Sequence, residues 1–279
     1  MLNIIAILLI LVITGFTLFV LFNHYLFHKQ VMNEIKSLSF LANEELIPPP
    51  DNNMLENLPE PVHQYFAYCK IIDHPPVSFV RMKHNGSFRT DSGQKWMPVK
   101  GEEYFSVNHP GFIWFAQVKP APLFWIQARD RYVKGEGRMT VKLWSTFTIG
   151  DPKGEQLDIS SLLRYLFEMP LFPVAFLTGN HIQWKSIDKH SAKAIIHDHD
   201  RKASGTFYFD DYGKITYATT SDRYREQKGQ FIKQKWSASY KNYRDMNGVM
   251  IPTETEVSWE DGDETFTYAR FIINDVKYL

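Results

Sequence analysis

Residues 249–259 read VMIPTETEVSW, and the fold turns on how this stretch is read. Val249, Ile251, Thr253, Thr255, Val257 and Trp259 fall on one side of an extended chain, while Met250, Pro252, Glu254, Glu256 and Ser258 fall on the other. Side chains of a strand alternate between faces, so this pattern describes a strand with one covered and one solvated side. The same alternation runs over 139–149, with Met139, Val141, Leu143, Phe147 and Ile149 opposed to Thr140, Lys142, Trp144, Thr146 and Thr148. It recurs over 203–209.

Working outward, turn signals separate such runs: Asp91-Ser92-Gly93, Asp151-Pro152-Lys153-Gly154, Asp211-Tyr212-Gly213, Asn247-Gly248 and Asp261-Gly262. From residue 75 onward, about ten short strands joined this way predict an antiparallel meander, and a sheet that wide curls. One segment breaks the period. Residues 157–177 read LDISSLLRYLFEMPLFPVAFL. Asp158 or Ser160 caps a helix over about 157–169, Leu162, Leu163, Leu166 and Phe167 line one side, and Pro170 and Pro173 end it. A lone amphipathic helix inside a meander packs on the curled sheet.

At the other end of the chain, residues 2–22 read LNIIAILLILVITGFTLFVLF, and the first charged residue is Lys29. At 1.5 Å per residue this helix is about 31 Å long, the thickness of a bilayer core. A cleaved signal peptide needs a basic start and a small-residue cleavage site, and neither is present. The reading is a single-pass membrane anchor over 1–22. A helical and proline-rich stalk follows over 23–54, with Val31, Ile35, Leu38 and Leu41 at helical spacing and Pro48, Pro49 and Pro50 as a stiff spacer. A single β-rich domain fills 55–279, beginning with a helix on which Val62, Tyr65, Phe66 and Cys69 share a face. The expected class is thus α+β: an N-terminal transmembrane helix, then a large curled antiparallel β-sheet, a half-barrel, with an inserted helix on its concave face.

Lys plus Arg and Asp plus Glu are each 31, so no basic excess exists for nucleic acid. The one cysteine, Cys69, cannot make an internal disulfide and reads as a small core residue. No G-x-S-x-G, H-E-x-x-H, C-x-x-C or Walker pattern occurs, and no cofactor is expected. His197-Asp198-His199-Asp200 offers two ligands per strand face, fewer than a zinc site needs, and suits a polar hairpin end. His24 and His28, one helical turn apart, suit the membrane interface.

PGFIWFA at 110–116, DRYVKGEGRM at 130–139, LLRYLFEMPLFPVAFL at 162–177 and IQWKSID at 182–188 together resemble a bacterial family of membrane-anchored proteins of unknown function. The likeness covers roughly residues 58–278 and implies no catalytic residues. In layout the expected sheet is similar to the carriers that shuttle lipoproteins and lipids across the bacterial envelope. That resemblance implies an extracytoplasmic body, whereas Lys29 and Lys36 beside the anchor, with Glu34 between them, point to the cytoplasm.

Phe and Tyr number 21 and 14, and there are 7 Trp, enough to line an apolar cavity or to fill a core. The expected ligand-binding residues are Trp114, Phe124, Trp125, Trp144, Trp184 and Trp236, with Phe112 beside them and with Arg164 and Glu168, which share a helix face four residues apart. Three functions compete. A membrane-tethered binding protein for a lipid-like or amphipathic ligand requires a cavity between sheet and helix. A membrane-tethered hydrolase requires acids and a histidine in one cleft, such as Asp130, Glu168 and His181. A structural or interaction protein requires a large exposed apolar patch.

Overall fold

The structure is a computed structural model that describes residues 2–44, 48–72, 74–178, 181–227 and 229–279; positions 45–47 of the expected stalk lie outside the described residues. Helix α1 (Leu2–Ala42) leads into a short turn of helix at Asn52–Leu55 and then α2 (Glu60–Cys69). The first six strands follow as successive hairpins: β1 (Phe79–Phe88), β2 (Met97–Ser106), β3 (Gly111–Ala121), β4 (Phe124–Val133), β5 (Glu136–Leu143) and β6 (Phe147–Gly150). Helix α3 (Glu155–Glu168) comes next, then two tight turns at Met169–Leu171 and Pro173–Phe176. The chain resumes with β7 (Ile182–Asp188), β8 (Ser191–Asp198), β9 (Arg201–Phe209) and β10 (Ile215–Thr220). A small separate hairpin, β11 (Tyr224–Gln227) and β12 (Gln230–Lys233), precedes β13 (Lys235–Met246), β14 (Val249–Asp261) and β15 (Glu264–Tyr278).

The last strand pairs with the first. Apart from the small hairpin, the strands therefore form one antiparallel sheet of 13, in the order β6-β5-β4-β3-β2-β1-β15-β14-β13-β10-β9-β8-β7. It curls without closing, with β6 and β7 as its two edges. This explains the inserted helix: α3 is the connection from one edge to the other, and the short route runs across the concave face. Asp158 in its first turns accepts the Gly137 backbone N–H at 2.8 Å and pairs with Arg201 at 3.0 Å, tying the helix to β5 and β9.

The alternation over 249–259 belongs to β14, with Ile251, Thr253 and Thr255 buried. The run 139–149 is not one strand. It breaks after Leu143, because Trp144 and Ser145 both take left-handed backbone angles, φ 53° and 58°, and the chain reverses into β6.

One core fills the concave side. Tyr65, Phe66, Phe105, Tyr165, Phe172, Phe176 and Phe207 pack between α2, α3 and the sheet, and Phe105 stacks on Phe172 at 4.2 Å. A second, smaller core lies on the convex side. There Phe27, Val31, Ile35, Leu38 and Ala42 of α1 bury against Phe79, Tyr104 and Ile113. Residues 27–42 thus form a strut along the outer sheet, antiparallel to β3. Arg129, 2% exposed, lies under this strut and reaches Glu34 at 3.5 Å and the Thr140 hydroxyl at 2.9 Å. The N-terminal half of α1 is exposed, unlike a core helix, and is long and apolar enough to cross a membrane.

Candidate functional site

A row of side chains crosses the concave face in register. Glu103 of β2 pairs with Trp114 of β3, Trp114 with Asp130 of β4, and Asp130 with Met139 of β5. Pairing puts neighbours about 5 Å apart on one face, so two carboxylates flank one indole. Above them stands Arg164 of α3. Its guanidinium donates to Glu103 at 2.7 Å, Asp130 at 2.8 Å and Glu168 at 2.9 Å, and lies 4.9 Å from the Phe112 ring and 5.2 Å from Trp114.

Three acids share this cation away from bulk water. Burial pushes Glu103 well above the usual carboxylate range, Arg164 pulls it back, and Glu168 and Asp130 add to the rise. Burial likewise raises Glu168 against the pull of Arg164. Burial disfavours the charge on Arg164 itself, but the three carboxylates outweigh it and hold the guanidinium well above its ordinary value. Asp130 and Glu168 also act on a second, half-buried guanidinium, Arg223, which lies 4.0 Å over the Trp236 ring. Burial lowers Arg223, and among the described residues it has no ion pair.

These groups edge a cavity of about 260 Å³ between the sheet and the C-terminal end of α3. Phe167, Glu168 and Leu171 roof it, Arg223 enters from the connection after β10, and Phe88, Trp236, Ala238, Tyr240, Val257 and Phe271 supply most of the wall. At its margin His84 accepts the Trp114 indole N–H on Nε2 at 2.8 Å, which leaves the proton of the neutral ring on Nδ1. Among the described residues that nitrogen is buried without a partner, as are Asp130 Oδ1 and the Nε and Nη1 of Arg223. An apolar chamber with unsatisfied donors and acceptors at one side fits a molecule with a greasy body and a polar head.

Of the residues expected to bind a ligand, Trp114, Arg164, Glu168 and Trp236 meet in this cavity. Phe112 lies directly beneath Arg164. The other four stand elsewhere. Trp184 packs on Phe176 at 5.2 Å and Phe207 at 5.6 Å in the filled part of the core. Phe124 and Trp144 stack on each other at 5.3 Å outside the sheet's end, and Trp125 lies in a groove against α1. Phe124 and Trp125 begin β4 and Trp144 lies in the turn after β5, and none of the three lines the cavity. Of the proposed hydrolase trio, Asp130 and Glu168 come together, but His181 does not line the cavity. His197 to Asp200 form the β8–β9 hairpin end, where Asp198 accepts the Tyr132 hydroxyl at 2.6 Å. His24 contacts the Ser145 hydroxyl at 3.0 Å, and His28 meets the edge of Phe115.

Glu103, His84 and Arg223 were not singled out from the sequence. The signal for Glu103 is its register: it shares a strand face with Gly101 and Phe105, so alternation turns a carboxylate inward.

The sequence matches a family described as "Family of unknown function (DUF6544)" over residues 48–271. No curated protein matches it. Among solved structures, a LolA superfamily protein from Nitrosomonas europaea is similar at 11% identity and TM-score 0.40, covering 78% of this chain and 92% of that one. A domain described as an outer membrane lipoprotein-sorting protein, from Vibrio parahaemolyticus, gives 9% and 0.41 over 73% and 86%. A DUF1329 family protein from Desulfovibrio piger gives 11% and 0.34 over 79% and 94%. Similarity this distant carries no residue and no ligand across.

Proposed function

Since the chain belongs to the DUF6544 family, whose function is unknown, we propose its function from the cavity: a membrane-anchored binding protein that holds one lipid-like, amphipathic small molecule. The observation that carries this reading is an apolar chamber of about 260 Å³ edged by buried polar atoms of Asp130 and Arg223 that have no hydrogen-bond partner among the described residues. An apolar cavity of about 150 Å³ takes up benzene, and ligand sites start near 300 Å³. The chamber therefore suits a single chain or a small ring system, and it is too small for a lipid with several chains. The head group sits against Arg164 and Arg223, with Asp130 and Glu168 beside them. The apolar part lies along Ala238, Val257 and Phe271. Helix α1 keeps the binding body at a bilayer, where such a ligand is found.

Titration of the full-length protein in detergent micelles with the polyene fatty acid cis-parinaric acid tests this. One saturable site is expected per chain. Ala238 lies on the cavity wall, so Ala238→Trp fills the chamber with an indole, and at least a tenfold weaker affinity is expected, about 1.4 kcal/mol. The thermal midpoint should stay within a few degrees of wild type. Equal binding by the two proteins would remove the chamber as the site.

A further inference from the structure

The leading helix and the sheet do not separate where the apolar run ends. Phe16 meets the edge of Trp144 at 5.7 Å, Val20 is buried, and Val20, Leu21 and His24 line a groove with Pro122, Phe124 and Trp125. The described residues of α1 that lie clear of the body are therefore 3–15, about 20 Å of helix at 1.5 Å per residue. A bilayer core is about 30 Å thick and needs about 20 residues. If α1 crosses, as the proposed function holds, the missing ~10 Å comes from residues 16–22, and whatever touches those residues sits at the same depth.

What touches them is suited to that depth. The β3–β4 tip and the β5–β6 turn form one unit, because the Trp144 indole donates to the Leu123 carbonyl at 3.0 Å. Residues 120–128 (PAPLFWIQA) and 143–150 (LWSTFTIG) contain no charge, while Lys119 and Lys142 flank them. Leu123 is 79% exposed and Ile149 58%, with Phe124 and Phe147 nearly half exposed. Large apolar side chains in water are costly at about 25 cal/mol per Å², whereas Trp, Phe and Leu with flanking Lys are the residues that settle at a bilayer interface.

We infer that the β3–β4 tip and the β5–β6 turn are inserted in the bilayer interface beside α1, so that the body rests on the membrane instead of hanging from a stalk. The occupant of this apolar face is lipid, because the face is continuous with the membrane-crossing part of the helix. Phe88, which lines the cavity, ends β1 at this same end of the sheet, since it pairs with Met97 and the strand that follows pairs Val99 with Val118. The ligand chamber therefore lies toward the membrane side of the body.

The test uses full-length protein in vesicles of phosphatidylethanolamine and phosphatidylglycerol. Single nitroxide labels are placed by Leu123→Cys, Leu9→Cys and Tyr212→Cys; Cys69 is fully buried and stays unlabelled. Collision rates with oxygen, which prefers lipid, and with a polar nickel chelate, which prefers water, read the depth of each label. Labels at 9 and 123 are expected to favour oxygen several-fold relative to the label at 212, on the β9–β10 turn beside α2. Oxygen preference at 9 with water-like behaviour at 123 would overturn the insertion and leave the anchor standing. Water-like behaviour at 9 would overturn both.

Discussion

Replacing Arg164 with methionine is expected to destabilise the protein by about 4 kcal/mol at pH 8, and by distinctly less at pH 5. Methionine keeps much of the length and packing of the side chain, so the loss isolates the charge. Arg164 satisfies Glu103, Asp130 and Glu168 at once, each within 2.9 Å; Glu103 and Asp130 are buried and Glu168 is nearly so. Removing one partner of a buried ion network leaves charges that neither water nor protein compensates, at about 3–5 kcal/mol. Arg223 does not take over, since it is committed to the face of Trp236. The pH dependence follows from Glu103 and Glu168, both held above the ordinary range by burial. A carboxylate whose folded pKa is raised contributes stability that is present below its unfolded value and is lost as pH rises through the folded one. Without the opposing pull of Arg164 the rise is larger, so the variant recovers as the acids take up protons. Chemical unfolding of both proteins in the same micelles, followed by tryptophan fluorescence, measures the difference. A deficit that is equal at the two pH values would show that the acids are not the cause.

How much of this site was legible beforehand depends on what each residue's position could reveal. Alternation along 249–259 and the proline-terminated run at 157–177 identify a curled sheet and a helix across it, because both patterns are periodic and local. Arg164 and Glu168 emerge from helix spacing alone. Aromatic content is a weaker guide, since a ring marks burial and not the face on which burial occurs. Trp114 lies mid-strand and Trp236 near the start of β13, both turned inward, whereas Phe124 and Trp125 stand at the β3–β4 tip and Trp144 in the left-handed turn after β5, where a regular alternation no longer assigns a face. Trp184 is inward too, but Phe176 and Phe207 fill the space in front of it. Which part of a concave face is packed and which is hollow depends on contacts between elements far apart in the chain. The strut of α1 was hidden for a related reason: Val31, Ile35 and Leu38 mark an apolar stripe, but nothing local says that the outer sheet is what covers it.

Between pH 6.5 and pH 4, wild type is expected to lose about 3 kcal/mol more stability than His84→Gln. Burial lowers the His84 imidazole to about 4 from its ordinary 6.5, with the Arg164 charge adding to the effect. The unfolded chain therefore takes up the proton first. The stability associated with the neutral ring is complete above pH 6.5 and is lost as pH falls to about 4. A gap of that size, at 1.36 kcal/mol per unit, sets the expected magnitude. Glutamine retains an acceptor for the Trp114 indole but has no proton to gain. Glu103, Asp130, Glu168 and Arg164, which face the same space, are present in both proteins, so their own titration enters both curves and the difference reports His84 together with its coupling to them. Unfolding midpoints measured across this range in one detergent decide the matter. Parallel curves would mean that water reaches the ring in the native state, and a chamber wet at His84 would be a poor place for the apolar part of a ligand.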